Sequence, residues 1–379
     1  MNRISVMKPW LGTAESDAVA EVIASGWVAQ GPKTAAFEQA FAEHQGVDHA
    51  VATSSCTTAL QLALVVAGVT TGDDVVVPSF SFIATANAPA YLGARPVFAD
   101  VDEATGNVTA QTIEAALTPA TRAIIAVDQG GMPLDLAPLR RLCDERGIAL
   151  IEDAACGAGS TYRGAPVGVG ADISAWSFHP RKLLTTGEGG MLTTNSEAWA
   201  TRARRLREHA MDVSAAERHG SLLAPQESYS EVGYNFRMTD LQAAIGLVQL
   251  GKLDAMVARR RELADVYRSA LADVPGVRCA TDPDYGTSNF QSFWIEVLSE
   301  FPMGREQLLE KLATDEISAR RGIMAAHRQP AYAGHPGQMV PLPVTERLTD
   351  HTLILPLYHG LEATDQARVI ESIRTAGGA

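Results

Sequence analysis

The stretch TRAIIAVDQGGMPLDLAPLRRLCDERGIALIEDAACG, residues 121–157, decides the fold. Its first part, TRAIIAVD (121–128), is a short unbroken apolar run, and its last, IALIEDA (148–154), is another. Between them LAPLRRLCDERG (136–147) spaces its apolar residues as a helix does and stops at glycine. Strands that are apolar on successive residues are covered on both faces, and a helix between two of them permits parallel pairing. The alternation extends towards the N-terminus. TAAFEQAFAEHQG (34–46) reads as helix, HAVAT (49–53) as strand, TTALQLALVVAG (57–68) as an apolar helix and DVVVPS (74–79) as a buried strand. IATANAPAYLG (83–93) and RPVFADVD (95–102) continue it as helix and strand. The expectation is an α/β fold with a mostly parallel central sheet, which binds ligands at the carboxyl ends of its strands.

Beyond about residue 240 the pattern changes. Residues 239–274 read as one long helical stretch with a break at Gly246 or Gly251. Isolated strands such as FQSFWIEVL (290–298) follow, with helices at 304–315 and 364–376. A large α/β domain over residues 1–250 and a smaller C-terminal α+β domain over 251–379 are expected.

With 46% hydrophobic and 20% charged residues, the chain can bury a sizeable interior. Its net charge of -13 argues against general binding to nucleic acid or anionic membrane, while leaving room for a small anionic ligand at a locally positive site. No apolar run spans a bilayer, and MNRISVMKPWLG lacks the apolar core of a secretory signal. Cysteines 56, 143, 156 and 279 show no CxxC or metal-ligand spacing. A cytoplasmic protein with no metal site is expected.

Only five lysines, at 8, 33, 182, 252 and 311, stand against twenty-six arginines. A lysine inside SFHPRKLLTTGEGG (177–190) is therefore either an ordinary surface lysine or a retained primary amine. SSCTTAL (54–60) joins a strand to an apolar helix; its hydroxyls and free N–H groups make either a cap, by Ser55 or Thr57, or an anion site. LIEDAACG (150–157) ends a strand with Glu152 and Asp153 on opposite sides. A buried carboxylate there needs a partner, in a salt bridge, a helix cap or a protonated heterocyclic nitrogen. Phe82, in PSFSFIATAN (78–87), packs in the core or stacks on a flat ligand. Pyridoxal phosphate chemistry requires a lysine, an acid and a phosphate cradle together. Lys182, Asp153 and the turn at 55–57 supply one candidate for each.

From end to end the chain resembles the DegT/DnrJ/EryC1/StrS family of pyridoxal-phosphate-dependent aminotransferases that act on nucleotide sugars and aminocyclitols. The resemblance is carried by SGWVAQGP (25–32), SSCTTALQLAL (54–64), VVVPSFSFIATANA (75–88), IEDAA (151–155) and SFHPRKLLTTGEGGML (177–192). GYNFRMTDLQAAIGLVQL (233–250), LPVTERL (342–348) and LPLYHGL (355–361) complete it. It implies the aspartate-aminotransferase-like architecture, fold type I of the pyridoxal phosphate enzymes. It also implies that Lys182 forms the Schiff base with the cofactor and shuttles the proton, and that Asp153 holds the protonated ring nitrogen. Ser55, Cys56, Thr57 and Ser177 would surround the phosphate, and Phe82 would cover the ring. Asn235 would reach the phosphate of a neighbouring subunit in a homodimer.

The pattern departs at two places. DQGG (128–131) replaces the family's usual His, apolar, aromatic and Gly, and Cys156 stands where Gln or His is usual, either as a substrate-side contact or as a small buried filler. SARRGIMAAHRQPAY (318–332) offers Arg320, Arg321, His327 and Arg328, in a region where family members that use nucleotide-linked sugars place basic or aromatic residues. Diphosphate contact by Arg320 or Arg321 is one reading, solvated charge the other. The function implied is amino transfer from L-glutamate or L-glutamine to a nucleotide-activated keto-deoxysugar in amino-sugar biosynthesis, for an antibiotic or a surface glycan. The alternatives are a keto-cyclitol acceptor or an aminohydroxybenzoate-type synthase and, further off, a sugar dehydratase or a non-catalytic cofactor-binding regulator. Lys182 speaks against the dehydratase, whose branch carries histidine there.

Overall fold

The computed structural model describes residues 3–212 and 226–378. The alternating segments form strands β1 (His49–Thr53), β2 (Asp74–Pro78), β3 (Arg95–Ala99), β4 (Thr121–Val127) and β5 (Ala149–Asp153). Two short strands, β6 (Thr161–Tyr162) and β7 (Ala165–Pro166), precede β8 (Ile173–Ser177) and β9 (Gly190–Thr194). The central sheet has seven strands in the order β1-β9-β8-β5-β4-β2-β3. All neighbours from β8 to β3 are parallel, and β9 runs antiparallel to both β8 and β1. The sequence reading found β1 to β5 but neither β8 nor β9.

The apolar runs are buried for the reason their composition predicts. Val75, Val76 and Val77 are all 0% exposed, so consecutive side chains on opposite faces both meet covering helices. Helix Cys56–Val66 is buried along Leu60, Leu62, Ala63 and Leu64 and lies against the sheet. Each of these leucines contributes about 1.5–3 kcal/mol on burial.

The long helical stretch is two helices, Asp240–Leu250 and Leu253–Leu271, bent by 57° at the Gly251 break rather than at Gly246. No single helix among the described residues is long and apolar enough to cross a membrane. Further on lie β10 (Val277–Cys279), β11 (Gly286–Thr287), β12 (Phe293–Val297), β13 (Arg320–Arg321) and β14 (Thr352–Leu355). Four of these form an antiparallel sheet in the order β10-β12-β14-β13, while β11 pairs with β6. A second core joins this sheet to the helices through Leu263, Tyr267, Phe293, Leu308, Leu353 and Val369. Ile4, at the start of the chain, is buried in that same core and pairs with Ile317.

Near the carboxyl end of β2, Ser79 continues the pairing with β3 and also binds the turn at Ala326–Arg328, between β13 and β14. Ser79 N–H donates to Ala99 O at 3.1 Å, and Ala326 N–H donates to Ser79 O at 2.7 Å. The loops that leave β2, β4, β5 and β8 therefore face the segments around β12 and β13 across a cleft of about 310 Å³.

Candidate active site

Lys182 lies in the loop between β8 and β9 and lines the cleft, along with Cys156 and Phe82. Its Nζ donates to Cys156 Sγ at 3.0 Å. The loop is held on both sides of the lysine by one side chain. Gln291 Nε2 donates to Arg181 O at 2.6 Å, and Gln291 Oε1 accepts from Leu183 N–H at 2.8 Å. Burial opposes the ammonium charge, but Cys156, Cys56 and Asp153 outweigh it and hold Lys182 above the ordinary lysine value. The turn after the lysine needs glycine where β9 begins, because a Cβ on Gly190 would run into the backbone of Ser55.

Asp153 is the last residue of β5 and only 4% exposed. It accepts from Thr85 Oγ1 at 2.9 Å and from Ala155 N–H at 3.2 Å, with Cys56 Sγ 3.9 Å away. Burial raises its carboxyl above the usual aspartate range, against the pull of Thr85 and of the Lys182 charge. Such a group takes up a cationic partner readily. Burial, followed by the Asp153 charge, pushes the Cys56 thiol far above its ordinary value.

Glu152 points to the other face, as strand alternation requires, and Ser174 lies 3.4 Å from its carboxylate. Its neighbour there is Asp128, which is 0% exposed. Burial pushes Glu152 up to about 7, offset in part by its hydrogen bond with Asp128. Asp128 is raised well above the usual value by burial and then by the Glu152 charge.

The helix that starts at Cys56 begins where β1 ends. Ser55 is its cap, accepting from Thr58 N–H at 3.2 Å, so the capping role read from the sequence is realised by Ser55. The N–H groups of Cys56 and Thr57 in that first turn have no intrahelical acceptor and remain suited to an anion. Ser177 closes β8 opposite Gly190, with its hydroxyl 3.5 Å from His179 N–H. Phe82 is 64% exposed at the cleft, an apolar ring left uncovered rather than packed in the core. Asn235 is exposed, forms a backbone bridge with Glu208 and does not line the cleft.

The basic segment divides. Arg320 lines the cleft and has no acidic partner among the described residues; burial and the nearby Arg181 lower its pKa. Arg181, also exposed on the cleft, likewise has no acidic partner among the described residues. Arg321 is spoken for by Glu306, with its Nε donating at 3.0 Å. His327 does not meet the expectation of a substrate contact. It is 6% exposed, outside the cleft lining, with Nδ1 2.7 Å from Ser79 Oγ and Nε2 3.2 Å from Glu346 Oε1. The backbone bond from Ala326 to Ser79 draws it inward. Arg328 is likewise paired, with Glu346 and Asp350.

At the DQGG departure, Gln129 lines the cleft and donates to Phe80 O, while Gly131 has φ 93° and a Cβ there would collide with Asn289. Thr85, Arg181 and Gln291 are the site residues that sequence reasoning missed. Thr85 stood inside a quoted motif, three residues after Phe82, but its partner is 68 positions away.

The site is that of an α/β enzyme built around a half-buried lysine and a buried carboxylate, beside a helix N-terminus. Residues 9–374 match the DegT/DnrJ/EryC1/StrS aminotransferase family, and the chain belongs to it. It is an aminotransferase, and the family's cofactor is pyridoxal 5'-phosphate. The dTDP-4-dehydro-2,3,6-trideoxy-D-glucose 4-aminotransferase of Saccharopolyspora spinosa is 38% identical over 378 residues, 98% of this chain and 96% of that protein. The crystal structure of the aminotransferase TlmJ from Streptoalloteichus hindustanus superposes with a TM-score of 0.91 at 38% identity, covering 98% of both chains. DesI, solved in the presence of its TDP-sugar product, gives a TM-score of 0.90 at 32% identity over 100% of this chain and 93% of that one. The mostly parallel sheet agrees with fold type I of the pyridoxal phosphate enzymes.

Proposed function

We propose that the protein transfers an amino group from L-glutamate or L-glutamine to the keto group of a nucleotide-activated keto-deoxysugar, in amino-sugar biosynthesis. The observation that carries this reading is the juxtaposition of Lys182 with two cations, Arg181 and Arg320, that have no acidic partner among the described residues, in one cleft. Two neighbouring arginines with no carboxylate partner among the described residues are suited to an anionic ligand such as a diphosphate, where bidentate contacts add orientation to attraction. The activities named for the Saccharopolyspora enzyme and for DesI support the same acceptor class.

The residues present fit pyridoxal phosphate. Asp153 is a buried carboxylate facing Lys182, the ring of Phe82 lies bare, and the first-turn N–H groups at Cys56 and Thr57 lie open to an anion. When bound, the cofactor supplies an aldehyde that joins primary amines and a ring that withdraws electrons from the adjacent carbon. Lys182 Nζ is the amine that holds the cofactor and, once released, takes up and returns the proton at the substrate carbon. Asp153, oriented by Thr85, keeps the ring nitrogen protonated. Ser55, Cys56, Thr57 and Ser177 hold the phosphate, and Phe82 keeps water from one face of the ring.

Asn235, exposed and away from the cleft, is assigned to the phosphate site of a second subunit, which makes the working enzyme a cytoplasmic homodimer. Residues 1–250 are assigned to a large cofactor domain and 251–379 to a small α+β domain, with the N-terminal segment around Ile4 crossing to the latter. The test is a half-reaction panel. The protein is loaded with cofactor, treated with excess glutamate, freed of donor and mixed with keto compounds while cofactor absorbance is followed. Return of the original spectrum with a nucleotide keto-sugar, and not with a keto-cyclitol, is the expected outcome. A response confined to the cyclitol would overturn the acceptor, and failure of both glutamate and glutamine to change the spectrum would overturn the donor.

A further inference from the structure

Cys156 and Lys182 come from different loops, yet their reacting atoms are 3.0 Å apart in the cleft. This closeness is built by a single short segment. Asn289 Nδ2 donates to Cys156 O and to Ala158 O, both at 2.7 Å, which fixes the loop carrying the thiol. Two residues on, Gln291 fixes the loop carrying the lysine through Arg181 O at 2.6 Å and Leu183 N–H at 2.8 Å. Asn289 Oδ1 in turn accepts from Gln291 N–H at 2.7 Å, so the two clamps are joined. Such a separation leaves room for one bridging atom after a small adjustment. The other thiol nearby, Cys56, lies 3.9 Å from the carboxylate of Asp153.

We propose that Cys156 and Lys182 form an oxidative cross-link, Nζ–O–Sγ, that closes the active site whenever the lysine is free and reopens on reduction. The amine loses one N–H and the thiol its S–H, and new N–O and O–S bonds form. Dioxygen is the oxidant: one of its atoms becomes the bridge, and the other leaves as water with the two hydrogens. Nitrogen and sulfur each give up two electrons, which matches the four that dioxygen takes. A lysine that starts as ammonium first releases its extra proton to water. Reversal takes two molecules of dithiothreitol, which return the amine, the thiol and one water. Engagement of Lys182 by the cofactor removes the free amine and protects both residues; that protection rests on the role given to Lys182 above.

The test is peptide mass spectrometry on the full chain, held in air-saturated buffer with and without added pyridoxal phosphate and digested without reductant. The cofactor-free sample is expected to yield a linked species joining the Cys156 and Lys182 peptides. Its mass should equal their sum plus one oxygen less two hydrogens, and it should vanish with dithiothreitol. Lys182→Arg, which keeps a cation but no primary amine, and Cys156→Ala should each abolish it, while Cys56→Ala should leave it. Free Cys156 and Lys182 after air exposure, or a Cys56–Cys156 disulfide lacking the oxygen, would overturn the cross-link. Equal yield with saturating cofactor would instead overturn the protection, and with it the assignment of Lys182 as the residue that holds the cofactor.

Discussion

Replacing Thr85 by valine keeps the shape of the side chain and removes one hydroxyl. That hydroxyl donates to Asp153 at 2.9 Å, and donor and acceptor residues are only 1% and 4% exposed. A bond this deeply buried is not readily exchanged for one to solvent, and a hydrogen bond to a buried charge contributes about 1.5–3 kcal/mol. At about 1.4 kcal/mol per tenfold, the ionised form of Asp153 loses a factor of roughly 10 to 100 relative to the neutral form. The carboxyl already lies above the usual aspartate range because of its burial, so Thr85→Val pushes it further the same way. Cofactor affinity should fall by a similar factor, read by equilibrium dialysis against pyridoxal phosphate near neutral pH. Ser81→Ala is the control, since it removes the 2.8 Å contact of Ser81 with Thr85 and leaves the bond to Asp153. Parent affinity in Thr85→Val, or an equal loss in both variants, would refute the claim that Thr85 acts through Asp153.

Two further outcomes follow from buried polar groups. Burial lifts Glu152 from 4.5 to about 7 in the folded protein, so its contribution to stability is present below about pH 4.5 and lost as pH rises through about 7. That interval corresponds to about 3 kcal/mol. Glu152→Gln cannot titrate, and urea midpoints between about pH 5 and 8 should show the variant gaining on the parent as pH rises; a constant difference would contradict this. Gln291→Met keeps the bulk of the side chain but strands Leu183 N–H and Arg181 O, each at about 1–3 kcal/mol if left unpaired. A protein that still folds and shows a fall in kcat of roughly tenfold or more is expected. Unchanged kcat in steady-state assays would mean that the clamp does not position Lys182.

The sequence made the alternation plain because unbroken apolar runs such as VVV at 75–77 have only one comfortable place, the middle of a covered sheet. The neighbours of the lysine loop were harder to see. Strand β8 puts Ser174 into the buried layer against Glu152, so ISAWS does not read as an apolar run. Strand β9 starts on a glycine, a residue depleted in strands. The lysine, the acid and the helix N-terminus were legible because each sits where a strand ends, and strand ends gather on one edge of a parallel sheet. Thr85 and Gln291 were not, since their partners lie 68 and 108 residues away and nothing local marks them. For His327 and Arg321, the family resemblance suggested basic side chains at the substrate, but nearby glutamates and Ser79 claim both side chains. Arg181, next to the lysine in sequence, was passed over although it lines the cleft without an acidic partner among the described residues.

The claim on which the rest depends is that Lys182 is the amine that holds the cofactor. With only five lysines in the chain, borohydride reduction of the cofactor-loaded protein, followed by digestion and mass spectrometry, tests it without any assay of turnover. The phosphopyridoxyl group is predicted on the peptide carrying Lys182 and on no other. Attachment at Lys8, Lys33, Lys252 or Lys311 instead, or no attachment at all, would contradict it.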